Sequence, residues 1–241
     1  MIYELKQILL PFENVYQNVI VDSSEGSKGL PTLVNTLILS PNHRSFAQDL
    51  IKVLNDSVEV DSDLIISHLI NIAQLFNPQQ NVNAAFLRQT LNDFISQKSN
   101  LDPIFNGTFK TVSDVNTSSV SGIELSIFQL YQLNVMHMWV TDDENISTKS
   151  LKDTQLIIMN GFGLNREARK DPSVLEIGNN RQLVEEFNQV KSFLASTANQ
   201  ATDLGLNLAK ENLRFEDVVV FYRNENFQTL LKARDDTLYI L

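Results

Sequence analysis

Apolar positions first become dense over residues 15–21, VYQNVIV, where the β-branched run Val19-Ile20-Val21 reads as a buried strand. Seven small, polar or charged residues follow, Asp22 to Lys28. After Gly29 a hydrophobic helix opens, with Pro31 in its first turn and Leu33, Val34, Leu37 and Ile38 facing inward, and it stops at Ser40-Pro41. A strand, a polar loop and a buried helix can support catalysis, because unpaired N–H groups at a helix start stabilise negative charge. The loop's last residue is Lys28, a cation at the positive end of the helix dipole.

The remaining periodicities fill in a mixed chain. Residues 2–9 form a strand or one turn of helix before Pro11, and Ser45 is placed to cap a helix over Phe46–Leu54. Asp61 or Ser62 caps a helix with Leu64, Ile65, Leu69, Ile72 and Phe76 on its apolar face. Ala84 to Ile95 repeats that pattern with Phe86, Leu87, Leu91, Phe94 and Ile95, so 61–97 is expected to form a helical hairpin arm. Ile104-Phe105 and Phe109–Val112 read as strand pieces, Asn116–Ser121 as a polar loop, and Ile123–Tyr131 as a helix. Val135 to Val140 reads as a strand, ended by Asp142-Asp143-Glu144-Asn145. Ser147 or Thr148 then caps a helix over Leu151–Met159, and Gly161 to Asn180 is rich enough in turn residues to predict a long loop. From Arg181 a long amphipathic helix carries Leu183, Val184, Phe187, Val190, Phe193 and Leu194. Three strands close the chain: Val218–Tyr222, Phe227–Leu231 and Leu238–Leu241, joined by turns at Asn224-Glu225 and Arg234-Asp235-Asp236.

Composition changes this picture mainly by exclusion. The 241 residues are 43% hydrophobic and 20% charged, enough for one large domain with a sizeable core. A net charge of −10 argues against a general nucleic-acid binder and against attraction to anionic membranes. There is no cysteine, which removes disulfides, thiolate metal sites and cysteine nucleophiles together. The N-terminal stretch has no secretory pattern, and the apolar runs are too short or too polar to span a bilayer, so a soluble cytoplasmic or nuclear protein is expected.

Class by class, the residues assemble no complete reaction centre. The Gly26–Gly29 run GSKG lacks the phosphate-loop pattern, and Ser27 sits in no nucleophile elbow. His43, His68 and His137 are widely separated and have no ligand spacing, and Asp142-Asp143-Glu144 reads as a solvated turn. Arg166, Arg169 and Lys170 form the one local basic cluster, broken by Glu167 and followed by Asp171. No cofactor or metal is expected.

Four segments in fixed order nevertheless resemble the MINDY deubiquitinases, papain-like cysteine proteases that trim polyubiquitin. Asp22–Leu39 resembles the family's Gln-x-x-x-Gly-Pro-Cys loop and the following apolar helix with an internal Asn, here Asn35. Phe128-Gln-Leu-Tyr through Val135-Met-His-Met-Trp139 resembles the segment ending Leu-x-His-Gly-Trp. Phe193 to Leu206 resembles the helix pair before the last strands, and Val219 to Leu230 the Phe-Arg-Asn-x-His-Phe-x-Thr hairpin. The resemblance implies a single α+β domain over 1–241 of papain-like architecture, with a helical arm and a C-terminal antiparallel meander. It also implies a partner groove near Gly26, Ser27, Gly29, Trp139, Tyr222, Glu225 and Phe227 that would take ubiquitin's extended tail. Trp139 has a second reading, since a lone Trp after a strand is more often core.

The departures from the family fall on its chemistry. Lys28 aligns with the nucleophilic Cys, Asp22 with the oxyanion-binding Gln, and Asn226 with the general-base His. An ammonium has no free lone pair to attack with, Asn cannot shuttle a proton, and a carboxylate opposes a developing oxyanion. The expectation is a pseudoenzyme that binds ubiquitin or polyubiquitin, or acts as a scaffold. Two alternatives stay open: a module for a non-ubiquitin protein partner, and an enzyme using Ser27 with a displaced histidine.

Overall fold

The computed structural model describes residues 1–10, 15–21, 29–80, 82–96, 99–110 and 121–241. Asp22, Gly26, Ser27, Lys28 and the expected loop at 116–120 lie outside those residues. The fold mixes helix and sheet, with two sheets placed around one helix.

That helix, α1 (Gly29–Leu39), is buried at every position, as its apolar composition all round requires. On one side lies an antiparallel sheet of order β2-β1-β3, from β1 (Ile2–Leu9), β2 (Tyr16–Val21) and β3 (Glu59–Asp61). On the other lies a sheet of order β6-β7-β8-β9, from β6 (Val135–Met136), β7 (Val218–Arg223), β8 (Asn226–Lys232) and β9 (Leu238–Ile240). β6 runs parallel to β7 and the other pairs are antiparallel. β7 and β8 join through Asn224 and Glu225, both in the left-handed region (φ 50° and 59°), as a two-residue hairpin whose turn matches strand twist requires.

Three further helices complete the main core: α2 (Gln48–Asn55), α3 (Ser62–Phe76) and α4 (Ala84–Ser96). Asp61 caps α3 by accepting from Asp63 N–H at 2.7 Å. Ser45, by contrast, caps nothing: α2 begins two residues later than expected, behind Ala47, with no side-chain cap. Ile65, Ile66, Leu69, Leu87, Leu91 and Phe94 all join the cluster that contains α1. The helices α3 and α4 of the expected 61–97 hairpin are therefore docked on the body. Leu64 and Phe86, expected inward, face solvent, and Ile66 and Ile70 take the inner positions of α3.

A short hairpin, β4 (Pro103–Ile104) and β5 (Thr108–Phe109), precedes α5 (Ser121–Leu130), whose end buries Phe128 and Tyr131. β6 is shorter than its apolar run. After Met136 the chain leaves β7 and bonds to the connection at Ala201 and Thr202, where Thr202 N–H donates to the Met138 carbonyl and the Thr202 hydroxyl to that of Val140. α6 (Glu144–Ser147) follows, capped by Asp143.

The largest departure is α7 (Leu151–Ala168), which runs through the stretch read as a loop. Ser150, not Ser147 or Thr148, caps it in a reciprocal box with Asp153. Its buried positions are Thr154, Gly161 and Ala168, two heptads of small residues on one face. That seam meets α8 (Asn180–Ser196), reached through a 3₁₀ turn at Pro172–Glu176. A Cβ at Gly161 would stand 2.6 Å from Phe187 Cβ, so the glycine marks a close helix crossing instead of a turn. α7 packs chiefly on α8 and the 3₁₀ turn, and only its base, with Leu151, Phe193 and Leu194, joins the Phe105–Trp139–Ile146 cluster. The 18 residues of α7 make an arm about 27 Å long. α9 (Asp203–Asn212) leads back to the sheet. Among the described residues, no helix is long and apolar enough to cross a membrane.

Candidate functional site

The site centres on the N-terminal end of α1 and the start of β8. Two threonines hold these elements in register. Thr229 Oγ1 lies 3.3 Å from Thr36 Oγ1, and it donates to the Thr32 carbonyl at 3.4 Å. Behind α1, Asn35 turns its amide to the backbone of β2, accepting from Ile20 N–H at 2.9 Å and donating to the Ile20 carbonyl at 3.0 Å. Ile20 lies on the outer strand of its sheet, so the Asn35 side chain supplies what a neighbouring strand would.

An aromatic cluster fills the space where α1 begins. The Phe94 ring lies against Gly29 so closely that a Cβ there would overlap it. Phe94 meets Phe128 and Phe227 at centroid distances of 5.5 and 5.8 Å, and Phe227 meets Tyr222 at 5.3 Å. Phe109 and His137 continue the chain of rings from Tyr222. Beside this cluster, a cavity of about 370 Å³ runs between α1, β2 and β8. Its walls include Val21, Pro31, Thr32, Asn35, Phe227 and Gln228, with Lys6 at the rim. A second, apolar cavity of about 300 Å³ shares Ile8 and Leu241 with it.

Of the residues singled out in the sequence, Gly29, Tyr222, Phe227 and Asn226 come together here. Asn226 opens β8 opposite Arg223 and donates its amide to the Asn224 carbonyl at 2.7 Å. Glu225 is exposed in the turn. Tyr222 and Phe227 are buried, and Phe227 also borders the cavity between α1, β2 and β8. Trp139 belongs elsewhere: it packs against Phe105 and Phe193, and its indole N–H donates to Thr197 Oγ1 at 2.7 Å. Phe94, Pro31, Thr32 and Gln228 were not singled out as site residues. Phe94 and Pro31 read as apolar positions and Thr32 and Gln228 as ordinary polar ones, and neither reading says which cavity they border.

The titratable groups around the cluster are held in place by backbone. His137 donates from Nε2 to the Thr108 carbonyl at 2.9 Å and accepts at Nδ1 from Trp139 N–H at 3.2 Å. Burial holds its imidazole below the ordinary range, and both nitrogens are engaged. His43 lies past the opposite end of α1, with Nδ1 2.7 Å from Ser40 Oγ. Burial pushes the Glu124 carboxyl above its usual range against the opposing bonds from Asn100 and Ser99. Burial likewise pushes the Tyr222 phenol up to about 12. Among the described residues, no cluster of His, Asp and Glu is placed to hold a metal ion.

Comparison with known proteins gives this geometry a context. The chain is 28% identical over 222 residues to the uncharacterized protein YGL082W of Saccharomyces cerevisiae, covering 89% of this chain and 54% of that protein. It is 28% identical over 230 residues to the same organism's ubiquitin carboxyl-terminal hydrolase MIY1, covering 92% and 59%. Against the rat ubiquitin carboxyl-terminal hydrolase MINDY-1 it is 25% identical over 236 residues, covering 96% and 45%. The chain thus spans about half the length of the curated relatives it matches. The family described as MINDY deubiquitinase matches residues 1–241, every residue of the chain. This chain belongs to the MINDY deubiquitinase family.

Proposed function

We propose that this chain is a catalytically silent MINDY domain that binds ubiquitin or polyubiquitin without cleaving it. One observation carries the reading: a chain matched to this family along all its residues contains no cysteine. Support comes from the sequence resemblance, in which Lys28, Asp22 and Asn226 align with the family's nucleophile, oxyanion donor and base. Acyl transfer needs a nucleophile with a base in reach, and the three histidines offer none there. His137 has both nitrogens engaged with backbone, and His68 lies within α3. His43 lies beyond the far end of an 11-residue helix, about 16 Å from its start.

Binding is supported by the cavity along Pro31, Thr32 and Gln228, which lies beside the α1 start and suits an extended peptide tail. Titrating labelled mono-ubiquitin and lysine-48-linked tetra-ubiquitin with the protein tests this. Saturable binding without chain cleavage is expected. Gln228→Arg, which sets a cation against ubiquitin's basic tail, should weaken binding about tenfold. Release of monoubiquitin that disappears with Ser27→Ala would overturn the silent reading.

A scaffold role with a non-ubiquitin partner has its own support. Phe94 packs onto Gly29 and the rings of Tyr222 and Phe227 are buried, so the head of α1 is covered from within. Absence of ubiquitin binding at high micromolar concentration would select it.

A further inference from the structure

The arm carries a face that the site around α1 does not use. Leu156, Met159 and Phe162 stand 56%, 73% and 62% exposed along α7, on the side away from the seam with α8. Their spacing of three residues keeps them on one flank of the helix. Towards the tip the same flank continues as Arg166, Arg169 and Lys170, all exposed. No ion pair or side-chain hydrogen bond among the described residues engages those three cations. Glu167 borders the flank, and Asp171 is occupied in capping the 3₁₀ turn through Ser173.

Gly163 adds an independent observation. Gly161, two residues earlier, is filled by Phe187, whereas a Cβ at Gly163 would meet nothing within 4 Å. It lies between Met159 and Arg166 on the exposed flank, a notch with no neighbour from this chain. Notches of this kind admit a large side chain from a second helix and bring two backbones close.

We propose that the α7 flank Leu156–Met159–Phe162–Gly163–Arg166 docks an acidic amphipathic helix of another protein. Charge decides the occupant. A second copy laid antiparallel on the same flank would set Arg166 against Lys152, and a parallel one would set Arg166 against Arg166. Either arrangement opposes like charges. A flat bilayer surface would attract the tip but offer no side chain to the Gly163 notch. An acidic helix satisfies the tip, covers the three apolar side chains and seats one of its own in the Gly163 notch. The inference stands apart from the ubiquitin reading, because it concerns a different surface.

Fluorescence anisotropy of a labelled helical peptide against the whole chain tests it. The peptide is roughly the length of α7, with leucines at i, i+4 and i+7 and glutamates on the same face. Saturable binding is expected, weakened about tenfold or more by Met159→Ala with Phe162→Ala and by Gly163→Leu. Arg166→Glu with Lys170→Glu should exchange preference for a lysine version of the peptide. Circular dichroism checks that each variant keeps its helices. Equal binding of a scrambled peptide, no binding at high micromolar concentration, or no exchange of preference would overturn the proposal. So would binding to phosphatidylserine vesicles, with the same residue dependence, in place of the peptide.

Discussion

Asn35 shows how one side chain can fix the placement of an element. Its amide makes two hydrogen bonds to Ile20, one as donor and one as acceptor, in a buried setting. Asn35→Ala would leave an N–H and a carbonyl of β2 without partners on the outer edge of the sheet. Each orphaned buried group costs about 1–3 kcal/mol, so the variant should lose about 2–6 kcal/mol in urea unfolding. A loss below 0.5 kcal/mol, read at unchanged m-value, would mean that water replaces the amide. The sequence marked Asn35 only as a polar residue inside an apolar helix, notable for its likeness to the family pattern. Nothing in its spacing says that it substitutes for a strand. His137 was equally opaque: its neighbours are apolar, and only the fold reveals that the Thr108 carbonyl and Trp139 N–H hold both ring nitrogens.

At the scale of elements, what could be read depended on whether local pattern and tertiary contact agree. The strands β2, β7, β8 and β9 and the helices α1, α3, α4 and α8 form where their periodicity places them, because burial on one face or all round is what wrote that periodicity, although Leu64 and Phe86 turn outward. α7 begins where expected but runs past Met159 to Ala168, because Gly161 and Gly163 read as turn residues. Both lie within the helix, for different reasons, and that difference is testable. Gly161→Ala places a methyl into Phe187 and must part α7 from α8 or push the ring off its rotamer, at a cost of about 1–3 kcal/mol. Gly163→Ala meets open space and removes the entropic penalty of a mid-helix glycine, for a gain of about 1 kcal/mol. Thermal unfolding of the two variants should therefore move in opposite directions from the parent. Equal destabilisation by both would show that residue 163 is constrained within the chain, which would also weaken the case for a notch. β6 was read too long for a related reason: the apolar character of Val135–Val140 reports burial, whereas strand pairing stops where Thr202 takes over the carbonyls of Met138 and Val140.

Across the whole molecule, the proposed separation of fold from chemistry can be measured. The register of α1 against β8 through Thr32, Thr36 and Thr229 does not depend on which groups stand at 22, 28 and 226. On the proposed alignment, Asp22→Gln, Lys28→Cys and Asn226→His should keep the scaffold and supply a candidate oxyanion donor, nucleophile and base. Having the groups is not the same as having them within hydrogen-bond reach, and misplacement by about 1 Å can cost about a hundredfold in rate. Asn226 is now tied to the Asn224 carbonyl by a donor that a histidine would have to replace. The Phe94 ring presses on Gly29, beside the position where the thiolate would stand. The triple variant should thus cleave lysine-48-linked tetra-ubiquitin weakly, and adding Phe94→Leu should raise that rate by relieving the crowding at the helix start. Thiol reactivity towards iodoacetamide separates the causes: a slow-reacting Cys at 28 would place the defect in nucleophile activation, and a reactive but unproductive one would place it in substrate access. Vigorous cleavage by the triple variant alone would show that the crowded head of α1 opens readily, and that the three side chains account for the proposed silence.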